Sequence, residues 1–160
     1  MANVVFYATD TMADWEYGYL LAGLAMANEQ APGSFRVLVA SENGGAVTSM
    51  GGMRVTPEVS LGDLDPAEIA ALVLPGAATW FTSHEAVLTL AERTLASGGV
   101  VAAICGATYG LARAGLLDDR DHTSNAADFL TGAPGYAGAH YNLGFVLYGL
   151  GKTAEVAQLL

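Results

Sequence analysis

The run Val100-Val101-Ala102-Ala103-Ile104-Cys105-Gly106-Ala107 passes from five consecutive apolar residues straight into a cysteine and two small residues. Apolar residues that do not alternate with polar ones read as a strand buried on both faces, the habit of a parallel sheet. The stretch 106–114 reads as a helix that begins as soon as this strand ends. Runs of the same character occur at 4–8, 36–40 and 72–75. Helical stretches separate them. Residues 14–28 space Tyr17, Leu20, Leu21, Leu24 and Ala25 along one helical face, and 84–96 do the same with Val87, Leu88, Ala91 and Leu95 behind a candidate N-cap at Ser83. Residues 46–59 read as a hairpin turning at Gly51-Gly52. This alternation of strand and helix predicts an α/β fold: an open parallel sheet with helices on both faces and right-handed crossovers.

The chain has 160 residues, of which 52% are apolar, enough for a single domain with one sizeable core. Its one cysteine excludes an internal disulfide framework and fits a reducing, cytoplasmic compartment. Six basic residues against sixteen acidic ones give a net charge of −10, which argues against nucleic acid and anionic membrane surfaces as partners. The opening MANVVFYATD has neither a basic n-region nor a long apolar h-region, so no secretory leader is expected. The most apolar tail, 141–160, is interrupted by Asn142, Lys152, Glu155 and Gln158 and does not read as a membrane span. The three histidines and one cysteine show no metal-ligand spacing, and no glycine-rich phosphate loop follows a strand, so neither metal nor cofactor is expected. The expected partner is a small-molecule substrate.

Ligands of open α/β sheets bind beyond the carboxyl ends of the strands, near the point where strand order reverses. Three segments leave such ends here, 9–16, 76–81 and 105–108, and they form one cleft if their strands are neighbours. Cys105 stands at a strand-to-helix turn with Ala103 and Ala107 two residues to either side, the small-x-nucleophile-x-small pattern of a nucleophile elbow. A helix N-terminus there favours the thiolate. A cysteine that merely fills core space has the same residue type, since free cysteine is among the most buried residues. Glu16, in the first turn of the first helix, is either an ordinary partner of the helix dipole or a protonated carboxyl facing Cys105. Leu74-Pro75-Gly76-Ala77 ends its strand on a turn that can present amides to an oxyanion. Trp80, Phe81, Trp15 and Tyr109 are candidate pocket walls and equally candidate core or rim aromatics.

Taken together, DWEYG around Glu16, LVLPGA ending at Ala77, AAICGATYGLARAGLLDDR around Cys105 and HTSNAADFL from His122 resemble the ThiJ/PfpI family. That family lies within the class I glutamine amidotransferase-like superfamily, alongside relatives of Parkinson disease protein 7. The resemblance covers roughly residues 3–141 and implies a flavodoxin-like three-layer fold. It also implies that Cys105 is the reactive cysteine and Glu16 its acidic partner, with the amides of Gly76, Ala77 and Gly106 around the anion site. Relatives suggest a homodimer and glyoxalase, deglycase, peptidase or amidase chemistry. Many carry a histidine just after the next strand; the matching position here is Asn125, with His122 three residues earlier, so no complete Cys-His dyad is expected.

Relatives continue past this region with a further strand pair and a closing helix. Residues 141–160 read differently, with Leu143, Gly144, Leu147 and Gly151 only loosely similar to the first helix of a tetratricopeptide repeat. One repeat cannot bury its own face, so the expectation is a domain over 1–140 followed by one amphipathic helix over 141–160. Glutaminase activity is not expected, because the superfamily's triad histidine falls in this altered region. Three functions follow: a cysteine-dependent hydrolase or lyase acting on a small carbonyl or amide compound, a redox-sensing stress-protection protein, or a catalytically inactive binding module.

Overall fold

The computed structural model describes residues 1–82, 84–120, 122 and the backbone of 145–148. The elements run β1 (Ala2–Tyr7), α1 (Asp14–Gln30), β2 (Phe35–Ser41), β3 (Val47–Thr48), β4 (Arg54–Val55), β5 (Val59–Ser60), β6 (Ile69–Leu74), α2 (Glu85–Ala96), β7 (Val100–Ile104), α3 (Gly106–Arg113) and β8 (Phe145–Tyr148). Short 3₁₀ turns occupy Leu61–Asp63, Pro66–Glu68 and Ala78–Phe81.

One sheet has the order β5-β2-β1-β6-β7-β8. All neighbours in it are parallel except β7 and β8, which pair antiparallel with Val101 opposite Tyr148 and Ile104 opposite Phe145. This is the expected flavodoxin-like α/β architecture. The unbroken apolar runs are interior strands: Val5, Leu72, Leu74, Val101 and Ala103 have no exposed surface. From β1 the chain moves outward to β2 on one side, and β6 and β7 extend the other side. Strand order therefore reverses between β1 and β6, and the loops after β1, β6 and β7 share one rim.

The remaining elements match their expected positions with four differences. On α1, Tyr17 is buried and Leu20, Leu21 and Leu24 pack against the core, whereas Ala25 faces outward. The N-cap of α2 is His84; Ser83 lies outside the described residues. The hairpin expected over 46–59 is confined to β3 and β4, with Val47 opposite Val55, and Val59–Ser60 instead joins the main sheet beside β2. Two-residue strands leave too little pattern for sequence to assign them. In the segment expected as a C-terminal helix, Phe145–Tyr148 form strand β8; the rest of 141–160 lies outside the described residues. Among the described residues no helix is long and apolar enough to cross a membrane, and no group of three metal-ligating side chains occurs.

Candidate active site

Cys105 caps α3 with φ +50° and ψ −119°, a conformation L-residues rarely adopt. The strand hands over to the helix in a single residue, so the backbone must reverse its direction there, and the side chain is thrust toward the rim. The elbow forces small neighbours. Ala103 and Ala107 are fully buried, and a Cβ on Gly106 would stand 3.0 Å from the Ala77 carbonyl oxygen and 3.2 Å from Trp80. The thiol itself is half-buried rather than sealed in the core.

Gly76 is where the site converges. A Cβ built on it would lie 2.8 Å from Cys105 Cβ and 2.9 Å from both carboxyl oxygens of Glu16. Cysteine and carboxyl thus approach the same point from different strand ends, and only a glycine leaves them room. The Gly76 amide donates to Glu16 Oε2 at 2.5 Å, and the Gly76 carbonyl accepts from the Ala13 amide at 2.9 Å. Glu16 is 6% exposed. Burial pushes its carboxyl above the usual 4.5, and the Gly76 hydrogen bond only partly opposes that. The carboxyl is therefore the protonatable neighbour of the thiol.

Gly76 corrects one expectation. Its N–H was expected among the anion-binding amides, but it is committed to Glu16, the stronger acceptor within reach. Among the described residues the Ala77 and Gly106 amides have no hydrogen-bond acceptor, and a Cβ on Gly106 would fall 3.5 Å from the Ala77 nitrogen. Those two donors flank the elbow.

Trp80 is 1% exposed and is not a wall of this site. Its indole N–H donates to the Pro75 carbonyl at 2.7 Å and its ring lies against Gly106 and Gly110, so it braces the β6 exit against α3 from behind. On its far side it lines a separate cavity of about 450 Å³ between α2 and α3, together with His84. Tyr109 is half-buried, stacks on Phe81 with ring centroids 5.2 Å apart, and carries the Arg113 guanidinium 5.8 Å above its ring. Asn125 lies outside the described residues. His122 is exposed, its Nδ1 2.9 Å from the Arg120 carbonyl oxygen.

His84, at the start of a helix, has no claim above chance in the sequence. It is buried, its Nδ1 is 3.0 Å from the Tyr7 hydroxyl, and its ring packs 4.3 Å from Trp80. No spacing connects Tyr7 to a histidine 77 residues away; the pair exists only because α2 begins beside the end of β1. Burial pushes the imidazole below 6.5 and the phenol up to about 12, which leaves both neutral near pH 8.

An elbow cysteine, an acid from the first turn of α1 and two open amides at a switch point fit one group of known proteins, and the sequence profile of that DJ-1/PfpI family matches residues 2–141. The chain belongs to the DJ-1/PfpI family. Among its relatives is the uncharacterized protease YoaZ of Bacillus subtilis, 38% identical over 140 residues, which are 85% of this chain and 67% of YoaZ. A deglycase of Pyrococcus abyssi is 36% identical over 90 residues, 55% of this chain and 54% of that protein. Among solved structures, the DJ-1 superfamily protein Atu0886 of Agrobacterium tumefaciens superposes with a TM-score of 0.71 at 36% identity, covering 89% of this chain and 74% of that one. The chain thus spans about half to two thirds of the length of these curated DJ-1/PfpI relatives.

Proposed function

We propose that this chain is a cysteine-dependent hydrolase or lyase acting on a small carbonyl or amide compound, working in the cytoplasm as a homodimer. The supporting observation is the convergence of Cys105 and a protonatable Glu16 on Gly76. For an amide, the Cys105 thiolate adds to the carbonyl carbon, forming a C–S bond while the C=O pair moves to oxygen. Ala77 and Gly106 N–H groups hold that oxyanion. Collapse restores the C=O and breaks the C–N bond, and the leaving nitrogen takes the Glu16 proton. Water then adds to the thioester, its proton returning to Glu16 as the thiolate departs. The names of the protease and deglycase relatives fit this chemistry.

The test is turnover of methylglyoxal-derived adducts and of small amides, each compared with Cys105→Ala. Turnover lost by about a thousandfold or more in that variant supports the reading. If iodoacetamide labels Cys105 no faster than a thiol in an unfolded peptide at neutral pH, the reading is overturned.

Glu16, whose carboxyl burial pushes above 4.5, beside a half-buried sulfur also supports a second reading, a redox sensor. Two equivalents of peroxide would oxidise the thiolate, first to a sulfenate and then to a sulfinate, each being reduced to water, and Glu16 would donate a hydrogen bond to the product. Mass spectrometry after stoichiometric peroxide distinguishes it: selective oxidation at Cys105 without turnover of any carbonyl substrate.

A further inference from the structure

The β3–β4 hairpin is a poor candidate for independent structure. Its strands have two residues each, and Met50, Gly51, Gly52, Met53 and Arg54 around its tip are exposed. What holds it is the loop 9–14, which leads into α1. Asp14 accepts hydrogen bonds with both carboxyl oxygens, Oδ1 from the Ser49 hydroxyl and Oδ2 from the Gly51 amide at 2.7 Å. The Met50 amide donates to the Met12 carbonyl at 2.9 Å, the Thr11 amide to the Thr48 carbonyl at 2.8 Å, and the Thr48 amide to Asp10 Oδ1 at 2.8 Å.

Restraint works in both directions. The loop carries a non-glycine residue, Thr11, at φ +62°, so it does not rest in a relaxed conformation and needs partners to stay in place. On its other side it is tied to the β6 exit by Ala13 N to Gly76 O at 2.9 Å and Ala78 N to Thr11 Oγ1 at 2.9 Å. The loop is clamped between the hairpin and the β6 exit, and Glu16 stands two residues beyond Asp14 in the first turn of the helix it launches.

We infer that Asp14 is a positioning residue for Glu16: it latches the β3–β4 hairpin onto the loop 9–14 and so fixes where the Glu16 carboxyl meets Gly76 and Cys105. The inference rests on the reading of Cys105 as the reactive group. It assigns a role in the site to a hairpin that contributes no residue to the chemistry. Ser49 is the natural counterpart, 4% exposed, its hydroxyl oxygen also accepting from the Met53 amide at 3.0 Å. Gly51 belongs to the latch as well, since a Cβ there would stand 2.9 Å from Asp14 Oδ2.

The experiment compares the wild type with Asp14→Ala, Asp14→Asn, Gly51→Ala, Glu16→Gln and the double variant Asp14→Ala/Glu16→Gln. Two readouts are taken on the full chain: hydrogen exchange of the Gly76 amide, and the pH profile of Cys105 alkylation by iodoacetamide. Asp14→Ala is expected to speed Gly76 exchange about tenfold or more while core amides such as Val5 and Leu72 keep their protection. It should move the alkylation midpoint in the direction that Glu16→Gln moves it, and have no further effect once Glu16 is already replaced. Asp14→Asn, which keeps one acceptor oxygen, should fall between wild type and Asp14→Ala. Should Asp14→Ala fail to fold, Gly51→Ala, which displaces the carboxyl without removing it, is read in its place. Wild-type Gly76 exchange in these variants, or a midpoint shift that persists undiminished without Glu16, overturns the inference. If Glu16→Gln leaves the alkylation profile unchanged, the reading of the site fails instead, and Gly76 exchange alone still decides the latch.

Discussion

Glu16 Oε2 accepts a hydrogen bond of 2.5 Å from the Gly76 amide, while the missing Cβ of that glycine leaves the space that Cys105 occupies. One residue thus anchors the acid through its nitrogen and admits the nucleophile through its lack of a side chain. Substitution at Gly76 has to disturb both. Gly76→Ala is expected to cost about 1–3 kcal/mol by overpacking and to reduce Cys105 labelling to that of an ordinary thiol. Denaturant unfolding and iodoacetamide kinetics on the same sample check it.

Glu16 gives stability a pH dependence of defined sign. Its carboxyl is raised above 4.5 by burial, so between that value and the raised one the native state keeps a proton that the unfolded chain has lost. Its contribution is full below 4.5 and disappears as pH rises through the raised value. Glu16→Gln should remove that decline, so the variant gains on the wild type as pH increases. Urea midpoints measured across this range test the sign.

His84 acts in the opposite direction. Burial lowers it from 6.5, so its neutral form is the folded one, and its contribution is present above 6.5 and lost as pH falls through the lowered value. His84→Phe should flatten the acid limb that begins below 6.5 while leaving the Cys105 alkylation profile in place. Tyr7, raised to about 12, should remain un-ionised in an ultraviolet titration at a pH where exposed tyrosines have already shifted.

The elbow geometry makes a prediction of its own. At φ +50° an alanine inherits the strain of Cys105 and a glycine does not. Cys105→Gly is expected to be more stable than Cys105→Ala by about 1–2 kcal/mol, within the range for a disfavoured backbone conformation. Equal stability of the two variants would remove strain from the account of the elbow.

Much of the frame was legible because its signals are local. Unbroken apolar runs marked the interior strands, and Ala103, Cys105 and Ala107 betrayed a turn too tight for larger neighbours. The topology then met the condition for one cleft, because β1, β6 and β7 are successive neighbours in the sheet. What escaped depends on choices made in three dimensions. The Gly76 amide could serve an anion or Glu16, and only the packed loop decides between them. Trp80 read equally as a pocket wall or a core aromatic, and only the packed structure decides: its indole N–H finds Pro75 and its ring fills the hollow beside two glycines of α3. The pairing of Asp14 with Ser49, 35 residues apart, has no sequence periodicity behind it.

Acid and anchoring glycine are 60 residues apart, on the segments that follow two adjacent parallel strands, β1 and β6. A chain in which β6 has not yet docked against β1 would carry a sulfur no different from that of a short peptide. Accelerated labelling at Cys105 would then be a clock for refolding, its onset marking the moment the central sheet closes up.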